Sequence, residues 1–254
     1  MDVNKNSYTF GFAAVMVVVV AALLSVAAIS LKPFQSRNIL LEKKQNILSS
    51  VGINIDRDAA DIQYPVFVKQ ELVLNYKGEE IDGVAFDVDL QKELKKDKKL
   101  QSLPLFISEV EGKTQYIIPL RGKGLWGPIW GFISLEDDLN KVFGAVFDHK
   151  SETPGLGAEI NQPFFEDPFS GKSIFDGEEL KSIKVVKGGA GDDNMYGVDG
   201  ISGGTITSDG VTDMLLERLT MYLPYFNKIK PNIEVNSVFS AMDSVVTVND
   251  SIIN

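Results

Sequence analysis

The side chains of this chain that are best suited to chemistry lie in one run of small and hydroxyl-bearing residues, Asp199 to Gly210. The run reads Asp-Gly-Ile-Ser-Gly-Gly-Thr-Ile-Thr-Ser-Asp-Gly, and apolar residues with helical spacing follow it from Val211. A helix N-terminus has unpaired backbone N–H groups and a partial positive charge, which favour a phosphate or another anion. The pattern therefore predicts an anion-binding turn in front of a helix.

A simpler interpretation of the same run is a flexible turn followed by a capped helix. Thr207 or Ser208 would supply the cap, because a hydroxyl oxygen can accept a hydrogen bond from an N–H group of the first turn. Gly203 and Gly204 permit close approach of a bulky group to the backbone, but they are equally common in turns.

The residues Asp199, Ser202, Gly203, Gly204 and Thr205 form Asp-x-x-Ser-Gly-Gly-Thr, which resembles the flavinylation motif Asp-x-x-(Ser/Thr)-Gly-Ala-(Thr/Ser). In that motif a flavin transferase joins FMN through its phosphate to the last hydroxyl. The resemblance implies that the Thr205 oxygen attacks the phosphorus of a flavin dinucleotide and that AMP leaves. The activating base and metal would belong to the transferase. Thr207 is a competing hydroxyl, and the spacing from Asp199 favours Thr205.

Two further motifs lie upstream of the acceptor. Tyr116-Ile-Ile-Pro-Leu precedes Gly122-x-Gly-Leu-Trp-Gly-Pro-Ile-Trp-Gly131, and Glu152-Thr-Pro-Gly-Leu-Gly157 follows. In this order the three motifs resemble the FMN-binding domain of a family that includes the C subunit of the Na⁺-translocating NADH:quinone oxidoreductase and the G subunit of the Rnf complex. We expect Leu125, Trp126 or Trp130 to flank the flavin ring, and the turn of Thr153, Gly155, Leu156 and Gly157 to approach the ring or its ribityl chain. Packing alone would also explain the two indoles, Trp126 and Trp130.

The resemblance implies a flavoprotein subunit with covalently bound FMN that relays electrons among the other subunits of a membrane complex. The long segment before the first motif fits the C subunit better than the G subunit of Rnf, which remains an alternative. An alternative from another class is a membrane-anchored binding or scaffold protein, whose glycine-rich loop is only a capped turn. Such a protein would be colourless.

Composition excludes several functions. The formal charge of −10 argues against a nucleic-acid partner, which requires clustered Lys and Arg. The sequence has no Cys and one His, His149, so a Cys or His metal site is not expected. The literal G-x-G-x-x-G at 122–127 lies between two predicted strands rather than before a helix, so we expect no NADH site in this chain.

An uncharged run from Phe10 to Leu31 is long enough to cross a lipid bilayer, which takes about 20 residues. We expect an uncleaved anchor in contact with membrane lipid, although small residues near Ser30 leave a cleaved signal peptide as an alternative. The basic residues Lys32, Arg37, Lys43 and Lys44 follow the run, and the positive-inside count would place the large domain in the cytoplasm. The family resemblance implies the outer, periplasmic face of the bacterial inner membrane, and we follow the resemblance.

The predicted fold class is α+β, with a transmembrane helix followed by one FMN-binding domain built on an antiparallel sheet with flanking helices. The predicted segments are a tail at 1–9, the span at 10–31 ended by Pro33, a connecting amphipathic helix at 32–52 and the domain at 53–254. Predicted strands are Tyr64–Tyr76, Leu103–Val110, Thr114–Leu120, Ile129–Leu135 and Ile183–Lys187. The helix from Val211 is expected to be interrupted at Pro224 and Pro231.

Overall fold

The structure is a computed structural model that describes residues 6–250, with side-chain environments up to Lys230. Its helices are α1 (Asn6–Ser50), α2 (Arg57–Phe67), α3 (Leu90–Glu93), α4 (Pro163–Glu166) and α5 (Thr205–Asp250). Its strands are β1 (Val68–Leu74), β2 (Leu103–Val110), β3 (Lys113–Lys123), β4 (Pro128–Leu135), β5 (Val142–His149), β6 (Phe175–Asp176), β7 (Glu179–Leu180), β8 (Lys184–Val186) and β9 (Gly197–Asp199). Short 3₁₀ turns cover Ala85–Asp87, Lys98–Leu100, Gly157–Asn161 and Asp167–Phe169.

The first five strands form one antiparallel sheet in the order β1-β2-β3-β4-β5. The predicted strands Leu103–Val110 and Thr114–Leu120 form a hairpin, with Val110 opposite Lys113. Its two turn residues, Glu111 and Gly112, both have positive φ, the geometry of a type I′ turn. Strands β3 and β4 then pair from Tyr116 opposite Leu135 to Lys123 opposite Pro128, so the three strands form a meander.

Two strand predictions need correction. The segment Tyr64–Tyr76 is helical up to Phe67, and the strand begins only at Val68. Ala60 and Tyr64 lie four residues apart and are the buried residues of α2, so helical packing prevails over the loose apolar alternation. Strand β5 was not predicted, because it lies at the sheet edge and its burial does not alternate strictly.

Each face of the sheet carries its own core. Alternate residues such as Ile118 and Leu120 pack with the buried stripe of α5, while Ile117 and Phe132 pack with the end of α1 and with α2 on the other face. Each fully buried Leu, Ile or Phe contributes about 1.5–3 kcal/mol. The alternation along β3 therefore fixes which face receives α5.

Helix α1 is continuous from Asn6 to Ser50, and Pro33 lies inside it rather than at its end. By length and composition it is the one helix in the described residues that could cross a membrane, and its apolar window has a mean hydropathy of 2.9 and no buried residue. Ile47, Leu48 and Val51 at the other end of this segment pack in the sheet core. The predicted span and the predicted connecting helix are thus parts of a single rod.

Helix α5 begins at Thr205, six positions earlier than the apolar spacing indicated, and continues through Pro224 and Pro231. The expected interruption at these prolines is therefore wrong. Tyr222 and Phe226 on either side of Pro224 are fully buried. Their packing outweighs the hydrogen bond that a proline removes from a helix.

Candidate functional site

Three segments that are distant in sequence meet at the carboxylate of Glu152. Its Oε1 accepts hydrogen bonds from the backbone N–H groups of Trp126 at 2.8 Å and Gly127 at 3.2 Å. Its Oε2 accepts one from the hydroxyl of Thr207 at 2.6 Å. Glu152 is only 4% exposed. The turn between β3 and β4, the loop after β5 and the first turn of α5 therefore share one buried anion.

Two opposing effects act on the pKa of Glu152. Burial by itself raises the pKa of the carboxyl, whereas hydrogen bonds from the Thr207 hydroxyl and from the N–H groups of Trp126, Gly127 and Leu125 lower it. The hydrogen bonds prevail, and the pKa lies below its ordinary value. Glu152 is consequently ionised at neutral pH.

Glycine is required where the backbone approaches this carboxylate. A Cβ at Gly124 would lie 2.6 Å from Oε1 of Glu152, and one at Gly157 would lie 2.4 Å from the hydroxyl oxygen of Thr207. Both distances are well inside van der Waals contact. The glycines that the sequence motifs contain thus make room for Glu152 and Thr207.

The two candidate acceptor threonines have different environments. Thr207 is 1% exposed and its hydroxyl donates to Glu152. Thr205, the first residue of α5, is half-buried. Thr205 is therefore partly accessible, whereas the hydroxyl of Thr207 is enclosed.

The predicted capping role of Thr207 or Ser208 is wrong, because both residues lie inside the first turn of α5. The first backbone hydrogen bond of the helix runs from Ser208 N–H to Gly204 C=O at 2.9 Å, which makes Gly204 the N-cap residue. The Ser208 hydroxyl oxygen instead accepts the N–H of Ile201 at 3.3 Å. Glycine at this position has no side chain to occupy the N–H groups of the first turn.

The remaining motif residues shape the turn before α5. Asp199 is exposed, and its Oδ1 accepts the backbone N–H of Ala190 at 2.6 Å, which holds the neighbouring glycine loop. Ser202 and Gly203 are exposed. Gly203 has a φ of +77° and leaves no room for a Cβ, which would lie 2.5 Å from the Leu156 side chain.

Exposed apolar side chains lie on the loops that meet at Glu152. Leu125 is 46% exposed, Trp126 is 66% exposed and Leu156 is 40% exposed. Thr153 and Gly155 are also exposed, whereas Gly157 is buried. The other indole, Trp130, is half-buried on the sheet and its ring lies 5.9 Å from the guanidinium of Arg121. A flat apolar group can therefore lie against the indole of Trp126, because no other part of the described domain covers it.

Sequence reasoning missed Glu152 as a site residue, although it begins the Glu-Thr-Pro-Gly-Leu-Gly motif. A single acid in a loop of small residues was the available signal, but its partners lie 26 and 55 residues away along the chain. His149 supports the same loop, since its Nδ1 accepts the N–H of Glu152 at 3.2 Å.

The site lies at the end of the sheet from which the apolar part of α1 projects. Ile39, Lys43 and Asn46 of α1 border a cleft against Arg121, Pro128 and Trp130. Further along α1, the carbonyl of Ser50 accepts a hydrogen bond from the Ser134 hydroxyl. Helix α1 therefore runs from the Pro128 end of β4 towards its Leu135 end. The turn that carries Trp126 is on the side of the domain nearest the apolar segment.

The fold and this site define an FMN-binding domain, and the model of the family described as "FMN-binding domain" matches residues 124–220. The C subunit of the Na⁺-translocating NADH-quinone reductase of Neisseria meningitidis is 32% identical over 252 residues, which cover 89% of this chain and 96% of that protein. The C subunit from Vibrio vulnificus is 32% identical over 222 residues, which cover 80% and 86%. This chain therefore belongs to the family of C subunits of the Na⁺-translocating NADH-quinone reductase.

Solved structures agree with this assignment. The crystal structure of the Parabacteroides distasonis C subunit has a TM-score of 0.72 and 43% sequence identity, covering 77% of this chain and 96% of that chain. Shewanella oneidensis NqrC has a TM-score of 0.62 at 24% identity, a similarity of fold. The predicted α+β class, with a long apolar N-terminal helix and an antiparallel sheet, is confirmed.

Proposed function

We propose that this chain is a membrane-anchored flavoprotein subunit that carries FMN as a phosphoester on Thr205 and relays electrons within a Na⁺-translocating NADH:quinone reductase. The observation that carries the proposal is the contrast between the half-buried Thr205 and the enclosed Thr207 in one turn of helix. Only Thr205 combines the spacing of the acceptor motif with a hydroxyl that a transferase can reach.

The residues around Thr205 are suited to FMN. The N-terminus of α5 offers backbone N–H groups to a phosphate, and Gly204 as N-cap leaves them unobstructed. Leu125, Trp126 and Leu156 offer exposed apolar surface to a flat ring. Bound FMN would supply the capacity to accept and release electrons, which this chain, having no cysteine, does not obtain from a thiol.

The anchor explains how the domain reaches its partners. The run from Phe10 to Leu31 has no ionisable residue, so it offers no polar path for an ion across the bilayer. Sodium movement then belongs to other subunits of the complex, and α1 contacts them and membrane lipid. The placement of Trp126 on the side nearest the apolar segment fits electron exchange with membrane-embedded partners.

Denaturing gel electrophoresis tests the attachment. Full-length protein co-expressed with its flavin transferase should give a band that fluoresces under ultraviolet light, and Thr205→Val should abolish the fluorescence. Thr205→Ser should retain it, because the hydroxyl remains. Thr207→Val is the matched control, since it removes the competing hydroxyl from the same helical turn and should leave the band fluorescent. A fluorescent Thr205→Val band would overturn the assignment.

Labelling of single introduced cysteines tests which side of the membrane the domain lies on, because the sequence contains no other cysteine. We propose that the domain lies on the periplasmic face of the inner membrane. A single cysteine at the exposed Lys95 should then react with a membrane-impermeant maleimide in intact spheroplasts, whereas one at the exposed Asn6 should react only after permeabilisation. The reverse pattern would place the domain in the cytoplasm.

A further inference from the structure

The turn between β3 and β4 is held mainly by its own backbone and by Glu152. Within the turn, Gly124 N–H donates to Gly127 C=O at 2.8 Å, which closes it on itself. The N–H groups of Trp126 and Gly127, in the same turn, both donate to Oε1 of Glu152. The exposed side chains of Leu125 and Trp126 therefore take their position from a turn that one carboxylate oxygen holds.

The second oxygen of the same carboxylate holds the start of α5. It accepts the hydroxyl of Thr207, which is two residues from Thr205 in the same helical turn. The carboxylate of Glu152 thus links the turn that carries Leu125 and Trp126 to Thr207, two residues after the acceptor Thr205.

We propose that Glu152 is a positioning residue of the flavin site, which sets the Leu125–Trp126 surface in its place relative to Thr205. This inference rests on the proposed attachment of FMN to Thr205 and adds how the chain orders both sides of the site. Glu152 itself needs no contact with the flavin for this role.

A carboxylate suits this arrangement because it has an acceptor on each side. The N–H groups of Trp126 and Gly127 can only donate, so Oε1 must accept, and Oε2 accepts the hydroxyl of Thr207. A glutamine could keep its oxygen towards the two N–H groups and donate its NH₂ group to the Thr207 hydroxyl, which also accepts, so it would lose the charge but keep the contacts. Glu152→Ala removes both acceptors and is therefore the informative substitution.

Hydrogen–deuterium exchange of the full-length protein in detergent tests the role without any flavin. In peptides that span residues 124–130, Glu152→Ala should speed amide exchange by about 10–100-fold, since the hydrogen bonds to a charged group are lost. Glu159→Ala is the matched control, because Glu159 accepts the N–H of Gly155 at 2.8 Å in the same loop. Unchanged exchange in a folded Glu152→Ala protein would overturn the proposal.

The Thr207 pair gives a second test that does not depend on the stability of the Glu152 variant. Thr207→Val removes the hydroxyl that holds Oε2 and should raise exchange in the same peptides, whereas Thr207→Ser keeps a hydroxyl and should restore protection. Equal protection in the Val and Ser variants would count against the coupling.

The flavin-loaded protein supplies a readout that a purely structural role would not change. In Glu152→Ala that still fluoresces on a gel, iodide should quench the flavin more strongly than in the parent protein, because the ring loses its ordered apolar neighbour. Thr205→Val separates the two hypotheses, since it should lack flavin yet retain parent-like exchange at 124–130. A fluorescent Thr205→Val protein would contradict the proposed function and leave the exchange result for Glu152 intact.

Discussion

Two glutamates with reduced exposure lie near the C-terminal end of strand β5 and have pKa shifts of opposite sign. Burial raises the pKa of Glu166 to about 7, with a contribution from Asp167 and Asp148, although it accepts the N–H of Phe147 at 2.6 Å. Burial also acts on Glu152, but the donors around it lower its pKa. Several donors offset burial at Glu152, whereas a single N–H donor does not offset burial and the two neighbouring carboxylates at Glu166.

The two glutamates also differ in how many parts of the chain they hold together. Glu152 joins three loops around the proposed flavin site, whereas Glu166 covers one N–H group on an edge strand. A carboxylate that satisfies several donors cannot be replaced without leaving them unpaired. A carboxylate with a single donor can be neutralised at little structural cost.

The largest expected effect is at Glu152. Glu152→Ala leaves two backbone donors and one hydroxyl without an acceptor in a buried site, and should lower the free energy of unfolding by about 3 kcal/mol. Urea denaturation of the full-length protein in detergent measures this. Glu166→Gln should change the same quantity by less than about 1 kcal/mol at pH 7. Equal losses in the two variants would show that Glu152 matters no more to stability than Glu166 does.

Gly157→Ala should come next. The new methyl group would meet the hydroxyl of Thr207 at 2.4 Å and Oε2 of Glu152 at 2.7 Å. Overpacking of this kind costs about 1–3 kcal/mol, and chemical denaturation is again the measurement. Combined with Thr207→Ser, the cost should change little, because the clashing hydroxyl remains. A neutral Gly157→Ala variant would show that the turn relaxes freely.

The pH dependence of stability should have opposite signs at the two glutamates. The pKa of Glu166 is raised to about 7 in the folded state. Its contribution to the free energy of unfolding is therefore fully present below the ordinary pKa of a glutamate and is lost as the pH rises through 7. The pKa of Glu152 is lowered, so its contribution is present above the ordinary range and is lost as pH falls through the folded value. Thermal melts between pH 5 and 8 should show stability falling with rising pH, and Glu166→Gln should flatten that slope. A slope that survives the substitution would assign it to another group.

The smallest expected effect is at Asp199, an exposed carboxylate with one backbone donor. Asp199→Asn keeps an oxygen acceptor for Ala190 and should change stability by less than about 0.5 kcal/mol. If the transferase reads this charge as part of the motif, the variant should fold normally and give a weaker fluorescent band. A large loss of stability would mean that Asp199 belongs with Glu152.

Much of the sheet was predictable because its signals are local. The alternation in β2, β3 and β4 and the Glu111-Gly112 turn place three adjacent strands without knowledge of the rest of the chain. Strand β5 lacks such a signal, since its burial pattern depends on what packs against an edge. The first turn of α5 was missed because Gly204 and Thr205 have turn-like composition and become helical only where Ser208 N–H bonds back to Gly204.

Local sequence was sufficient for the long apolar helix, the central hairpins and the position of Thr205 in its motif, because each depends on residues within a few positions of one another. The enclosure of Thr207, the ionisation of Glu152 and the course of α5 through Pro224 required the folded chain. The hydrogen bonds responsible at Glu152 join residues 26 and 55 positions apart. Such contacts form only when packing on both faces of the sheet brings distant loops to one end. The periodicity of the sequence does not predict them, because it reports only on neighbouring residues.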